Sequence, residues 1–500
     1  MPNNPPEQKN TLTDIAILSA IIVTGSILII LGTSKYGVGL TGDSISYIAL
    51  AKNILKDFSF NDISGEPFVL WPPGYSITLA LVQYLTSLDA YSVLLPYNLV
   101  CYAFLVVGLW RLLKNRIESS FLKYAVLAVM ALSPAVIRIY VYAFAEVAFL
   151  PLLITVFLGL ERIEEKKNAV SVIVSGVLAM LLSIIKYTGV LLIPLLIWAV
   201  IRNFEGKKRL LAALFSLIVV PLPWLTVLVS NYFRTGTLMG YRGSSIMGLG
   251  DVLLDLGATF LYWVFPLIIP VVLILTRKRM EISKIFTDRE KYFWGFTVIY
   301  LLANIGVATD QAVDDLNNRL LVPVFFTMLL PLTGAIEGLF ASEGRRLKRI
   351  LIVILLCLIP LSYIRTNIRG TSARIANGAG GITSDEFYGK FPKDIERIKS
   401  LSRNKTIFTN NPAVFYYLTG FPNKSLPRKK YYNSDELVIR EQEVKSYLTQ
   451  SGRGMIFIFT RMKDNDQYTI EEIKKFCDLK EEFSDREWKI HSIKAPERGK

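Results

Sequence analysis

LTDIAILSAIIVTGSILIILGTS (12–34) runs directly into KYGVGLTGDSISY (35–47). The first stretch is apolar over the ~20 residues that a bilayer-crossing helix needs. The second ends in a carboxylate, Asp43, with Tyr47 one helical turn later. Apolar segments of about the same length recur at 92–112, 120–136, 143–160, 168–185, 187–202, 208–230, 256–276, 292–308, 319–340 and 348–366. Over 500 residues, 52% are hydrophobic and 19% charged, too apolar a pattern for a water-soluble core. From 367 onward charges become frequent and apolar runs shrink to strand length. These features predict a polytopic α-helical membrane protein with about 11 transmembrane helices and a small C-terminal α/β domain. Its parts are a transmembrane region 1–366 with a first outer loop 35–91, a Gly/Ser/Asn-rich linker 367–384 and a domain 385–500.

Orientation follows from charge. RLLKNR (111–116), ERIEEKK (161–167), RNFEGKKR (202–209), TRKRMEISK (276–284) and EGRRLKR (343–349) all fall on one side if the N-terminus is cytoplasmic. Basic residues favour cytoplasmic loops, so this is the expected topology. Segment 74–88 (GYSITLALVQYLTSL) is short for a span, and counting it as one would send every later basic loop outside. It is expected to be an interfacial helix. The C-terminal domain then lies outside the cytoplasm, with Asp43. The same bias accounts for the net charge of +15 without a nucleic-acid partner. MPNNPPEQKN has no basic n-region or cleavage site, so the first span is expected to be retained.

Only one His, His491, is present, and the three Cys are widely spaced. That pattern argues against a His-dependent mechanism, a zinc site or a disulfide framework, and leaves Asp, Glu, Lys and Tyr for acid–base work. Ionisable residues gather at the expected outer ends of spans: Asp43, Glu66, Arg138, Glu146, Lys186, Arg242 and Arg319. Charges at such positions are costly and often mark a site. Each alone also suits a snorkelling interface charge. Asp43 and Tyr47 share a helical face, and Asp43 in a first turn favours the helix dipole. Trp71-Pro72-Pro73-Gly74-Tyr75 fixes an extended entry into a helix and suits the interfacial aromatic belt. Arg319, near Asp314 and Asp315, offers the planar fork that binds phosphate. Glu146 lies about one turn inside the fourth span, where a carboxylate is a functional candidate.

The tail predicts a small parallel sheet. KTIFTNN (405–411) and GMIFIFT (454–460) are its strands. Helices are expected from Pro412, over 434–450, and over 468–479 with Thr469 as cap.

Asp43 with Tyr47, Pro72-Pro73-Gly74-Tyr75, Glu146, Arg319 with Pro323, and IFTNNPAVFYYLTGFP (407–422) together resemble the GT-C superfamily of glycosyltransferases. The nearest likeness is to the family 39-like group, which contains protein O-mannosyltransferases and lipid A aminoarabinose transferases. Two positions depart from that group: Ser44 stands where many members carry Glu, and Trp71 where many carry His or Lys. The resemblance implies inverting transfer of a sugar from a polyprenyl-phosphate donor to a hydroxyl on a lipid, glycan or protein acceptor. Asp43 is the candidate base. Arg319, Arg138, Lys186 and Arg242 are candidates for the donor phosphate. Tyr47, Glu66, Trp71, Pro73, Tyr75 and Glu146 are candidates for the pocket. A divalent cation between Asp43 and Asp62 or Glu66 is a further possibility. A lipid-linked sugar transporter or flippase is the main rival, but no half-to-half similarity of the kind transporters show is visible. An O-antigen ligase or polymerase-like enzyme is the second.

Overall fold

The computed structural model describes residues 7–264, 290–341, 346–391, 394–432, 434–449, 454–462 and 464–493. Its first part is a helical bundle. Helix α1 (Glu7–Gly32) carries the opening apolar stretch. Two helices follow in the first connecting segment, α2 (Gly42–Asp57) and α3 (Gly74–Thr86). The bundle continues with α4 (Leu94–Lys114), α5 (Ser120–Ala131), α6 (Pro134–Val141), α7 (Glu146–Lys166), α8 (Ala169–Ile185) and α9 (Ile193–Asn203). Further helices cover Gly206–Leu214, Leu222–Thr235, Leu249–Val264, Lys291–Asp310, Asn318–Ala341 and Arg346–Asn377. The second half of the expected span 256–276, all of TRKRMEISK and the start of EGRRLKR lie outside the described residues.

Several expected spans are not plain helices. Pro134 has no N–H to donate and disfavours helix at the residue before it, so 120–136 breaks into α5 and α6 with a 47° bend. The 208–230 stretch passes through a π turn at Phe215–Val219, just before Pro221. Such wide turns accommodate a local break in the hydrogen-bond ladder. The 187–202 stretch opens as a 3-10 turn, Tyr187–Leu192. Among the described residues, Leu12–Gly32, Leu94–Lys114, Gly206–Thr235 and Lys291–Asp310 are long and apolar enough to cross a membrane, and the bent pair passes when taken together. Val23, Phe104, Leu217 and Leu302 stand exposed on these elements. Outward apolar side chains on a helical bundle form a surface suited to lipid.

Small residues set the closest approaches, as they do between membrane helices. A Cβ at Gly159 of α7 would lie 2.4 Å from Ser175 Oγ of α8. A Cβ at Gly74, the first residue of α3, would lie 2.4 Å from the Ile184 carbonyl oxygen of α8. The Pro-Pro-Gly-Tyr element therefore does more than start a helix: it lets α3 rest directly on the backbone of α8.

The region read as a linker, 367–384, is ordered secondary structure. Residues to Asn377 extend the last long helix, and β1 (Gly378–Gly380) pairs antiparallel with β2 (Thr383–Ser384). Beyond it, β3 (Thr406–Thr409), β4 (Lys424–Ser425), β5 (Gly454–Phe459), β6 (Leu479–Ser484) and β7 (Trp488–Ile493) form one sheet in the order β4-β3-β5-β7-β6. The sheet is mixed rather than parallel: β4, β3 and β5 run parallel, while β7 is antiparallel to both β5 and β6. The helix expected over 434–450 is confined to Glu441–Thr449. Upstream of it, cross-chain pairing wins, since Tyr431 donates to the Glu436 carbonyl and Val438 to that of Lys429. The helix expected over 468–479 is one turn, Ile470–Ile473, started by a capping box between Thr469 and Glu472.

Gly74→Ala should lower thermal stability, by roughly 1–3 kcal/mol for overpacking against backbone. Gly257→Ala, where a Cβ meets nothing within 4 Å, should not. Unfolding of the two purified variants in detergent checks the pair.

Candidate active site

Asp43 is held at a helix start whose cap is made locally. Thr41 is the N-cap of α2, and Ser44 completes a capping box: Thr41 N–H donates to Ser44 Oγ at 3.1 Å, and Ser44 N–H to Thr41 Oγ1 at 3.4 Å. With the cap made by Thr41 and Ser44, the Asp43 side chain is not needed there and lines the cavity described below.

Backbone pairing then sets what Asp43 faces. Gly39 N–H donates to the Val141 carbonyl (2.9 Å) and Ala143 N–H to that of Gly39 (3.0 Å). Ile382 N–H donates to the Leu40 carbonyl at 2.8 Å. The segment before Asp43 is thus stitched to the α6–α7 connection and to the β1–β2 hairpin. A Cβ at Gly39 would lie 2.6 Å from the Tyr142 ring, so the approach requires glycine. Asn98 of α4 supports the same connection, donating to the carbonyls of Tyr140 and Tyr142 at 2.8 and 3.0 Å.

Five charged side chains meet there: Asp43, Glu146, Lys186, Asp314 and Arg319. Glu146, the first residue of α7, is buried with 5% of its side chain exposed. The Lys186 ammonium donates to its Oε1 at 2.9 Å. Arg319, at the start of the Asn318–Ala341 helix, lies 3.8 Å from Glu146, 3.6 Å from Asp43 and 3.4 Å from Asp314. These are ion-pair separations looser than a good charge-assisted hydrogen bond. Arg319 Nε makes no hydrogen bond to protein. Its guanidinium also lies 4.7 Å from the Phe144 ring centre, a cation–π contact. Arg242 donates to the Leu70 carbonyl and sits 5.8 Å from the Trp71 ring. Among the described residues, no carboxylate pairs with Arg242.

All of these line a cavity of about 1390 Å³. Tyr47, Trp71 and Pro72 of the first connecting segment form one side. Asn304, Gln311 and Asp314 form another. The C-terminal sheet region closes it with Asn411, Arg428, Tyr431, Asp464 and Asp466. These last follow the carboxyl ends of the parallel strands β3, β4 and β5, where open α/β sheets expose polar groups. Arg428 is held there by Asp464 at 3.2 Å and Asp466 at 3.6 Å.

The Asp43 carboxylate keeps 31% of its surface open. That surface faces the cavity beneath the protein mass rather than bulk water. Burial therefore raises its pKa above the usual 3.8, with Arg319 opposing the rise and Asp314 adding to it. A carboxyl shifted in this direction is a stronger base than a free one.

The other expected site residues divide clearly. Glu146, Lys186, Arg242, Arg319, Tyr47 and Trp71 join Asp43 at the cavity. Arg138 does not: it is exposed on α6 and lines no part of the cavity, because only the other faces of that helix turn inward. Glu66 does not either, since its carboxylate pairs with Lys424 at 2.8 Å and ties the first segment to β4. Pro73 is the N-cap of α3, and its neighbour Pro72 reaches the cavity instead. Tyr75 is fully buried behind Tyr47, the two rings edge-on with centres 5.2 Å apart. Asp62 accepts from Ser64 in its own turn. Neither Asp62 nor Glu66, the expected companions of Asp43 around a divalent cation, lines the cavity with it. Among the described residues, no three His, Cys, Asp or Glu side chains gather closely enough to hold a metal. The polar wall from the C-terminal region was not legible, because its residues are scattered between 410 and 467 and meet only through the sheet.

Neither a protein-family model nor a curated protein matches the sequence. Solved structures do match the fold. ArnT from Cupriavidus metallidurans in the apo state aligns with a TM-score of 0.62 at 9% identity, over 97% of this chain and 98% of that one. The same protein bound to undecaprenyl phosphate aligns at 0.59, again 9% identical over 97% and 98%. The arabinofuranosyltransferase AftD from Mycobacteria aligns at 0.54 with 11% identity, over 96% of this chain and 42% of that one. An oligosaccharyltransferase from Archaeoglobus fulgidus in complex with Zn and sulfate aligns at 0.51, 10% identical over 88% and 68%. These structural neighbours are GT-C superfamily glycosyltransferases, so the chain has the GT-C fold that its motifs resemble.

Lys186→Met would leave the Glu146 charge buried with only the looser Arg319 contact. It should cost roughly 3–5 kcal/mol, the range for breaking a buried pair from one side. Adding Glu146→Gln should recover most of that loss. A double-mutant cycle by thermal or denaturant unfolding reads the coupling directly.

Proposed function

We propose that this protein is a membrane glycosyltransferase that moves a sugar from a polyprenyl-phosphate donor to a hydroxyl acceptor on the extracytoplasmic side. The observation that carries this reading is the Asp43 carboxylate, 3.6 Å from Arg319, open to a cavity that also holds Arg242 and Lys186. It supports both halves of the chemistry, a base for the acceptor and cations for the leaving phosphate. A fold shared with a protein that binds undecaprenyl phosphate supports the donor class.

In this mechanism the acceptor hydroxyl gives its proton to Asp43 as its oxygen bonds to the anomeric carbon. The bond from that carbon to the phosphate oxygen breaks, and the lipid phosphate departs with the electron pair. A single displacement inverts the anomeric centre. The geometry reorders the cations. Lys186 is committed to Glu146, and Arg319 is shared among three carboxylates, which leaves Arg242 as the best placed for the phosphate. Arg319 then keeps Asp43 ionised and oriented from 3.6 Å away. Tyr47 and Trp71 shape the donor side, and the polar wall following β3, β4 and β5 faces the acceptor.

Asp43→Asn should reduce transfer by ~10²-fold or more, the typical worth of a general base, with insertion and folding intact. Turnover near wild type in a donor-lipid transfer assay would remove Asp43 from the role. Because the base acts ionised, activity should fall as pH drops through the raised Asp43 pKa, giving an acid limb above 3.8. Arg319→Gln removes the main opposing cation, so that limb should move to still higher pH in the kcat/KM profile.

A further inference from the structure

A second cavity lies at the far end of α7 from the candidate active site. Helix α7 begins with Glu146 and ends with Lys166. At ~1.5 Å of rise per residue its two ends stand about 30 Å apart. The far cavity, of about 220 Å³, is a surface pocket bordered by the last turn of α4, the second half of α7 and the first half of α8, and its cations are exposed. Arg111, Arg162 and Lys166 line it, and no carboxylate does.

The local acids are turned elsewhere. Glu161 pairs with Arg116, and Glu164 accepts from the Tyr292 hydroxyl at 2.9 Å. Arg111, Arg162 and Lys166 have no ion pair among the described residues. The N-terminus of the 17-residue helix α8 opens into the same space, capped by Asn168 accepting from Ser171 N–H at 2.9 Å. A helix start adds partial positive charge to the three cations. Beside this cradle the wall becomes apolar: Val170 and Val174 of α8 are 67% and 48% exposed. Three unpaired cations explain loop charge bias by themselves. They do not explain why they converge on one cavity, without a counter-ion, next to an open apolar strip.

We infer that this cavity binds the phosphodiester headgroup of an anionic phospholipid, with the acyl chains lying along Val170 and Val174. Basic pockets between membrane helices hold such headgroups. The inference rests on residence in a bilayer and not on the sugar-transfer reading. It assigns the lipid to the leaflet opposite Asp43.

The test is native mass spectrometry of the full chain released from micelles containing phosphatidylglycerol or phosphatidylcholine with the same acyl chains. One phosphatidylglycerol should stay bound under activation that strips phosphatidylcholine. Arg111→Gln with Arg162→Gln should weaken retention by about tenfold or more, given the scale of each basic contact to an anionic surface. Arg111→Lys with Arg162→Lys keeps the charge, serves as the folding control and should keep the lipid. Equal retention of both lipids, or retention of phosphatidylglycerol by the Gln variant, overturns the site. Displacement of the lipid by soluble glycerol phosphate also overturns it, since the site would then take a free phosphate rather than a membrane lipid.

Discussion

Glu146 sets the terms for the upper end of this bundle. A carboxylate almost fully removed from solvent is stable only if cations accompany it. Lys186 supplies one from the end of α8, and Arg319 the other from the start of a helix more than a hundred residues later. Those two partners fix the relative placement of three helices. Arg319 cannot serve Glu146 without also coming within ion-pair range of Asp43 and Asp314. Asp43 is thus coupled through Arg319 to the buried charge of Glu146.

That coupling depends on backbone contacts made before any side chain is considered. The pairing of Gly39 with Val141 and Ala143, and of Leu40 with Ile382, draws three distant segments to one place. Asp43 follows the first, Glu146 the second, and the hairpin leading to the C-terminal sheet the third. Lys424 with Glu66 adds a further tie between the first segment and β4. The C-terminal region is therefore part of the cavity wall and not a separate module on a loose tether.

Much of this was legible along the chain, and the reasons differ from place to place. The apolar stretches were readable because lipid-facing helices must be apolar along their length, whatever they pack against. Asp43 and Glu146 were readable because charges next to such stretches are costly. Arg138 met the same test and lies outside the cavity, since span-end position says nothing about which side of the helix faces inward. The strand Trp488–Ile493 was overlooked although Trp488 and Ile490 are buried, because its alternation is short and interrupted by charge. The first part of the helix expected over 434–450 gave way to pairing with residues near 429, a competition invisible to local propensity.

The sequence by itself determined the helical bundle, the capped start of α2 and the presence of a lone acid there, because each depends on hydrophobicity, spacing or a local cap. Only the tertiary structure decided which cations gather near that acid. Arg319, Lys186 and Arg242 come from three separate connections: Arg319 and Lys186 neutralise the buried Glu146, and Arg242 lines the same cavity, a property of the assembled space. The same holds for the pairing of Glu66 with Lys424 rather than with Asp43, and for the polar wall drawn from residues between 410 and 467. Distance in space, not along the chain, governs electrostatics, and the fold sets that distance.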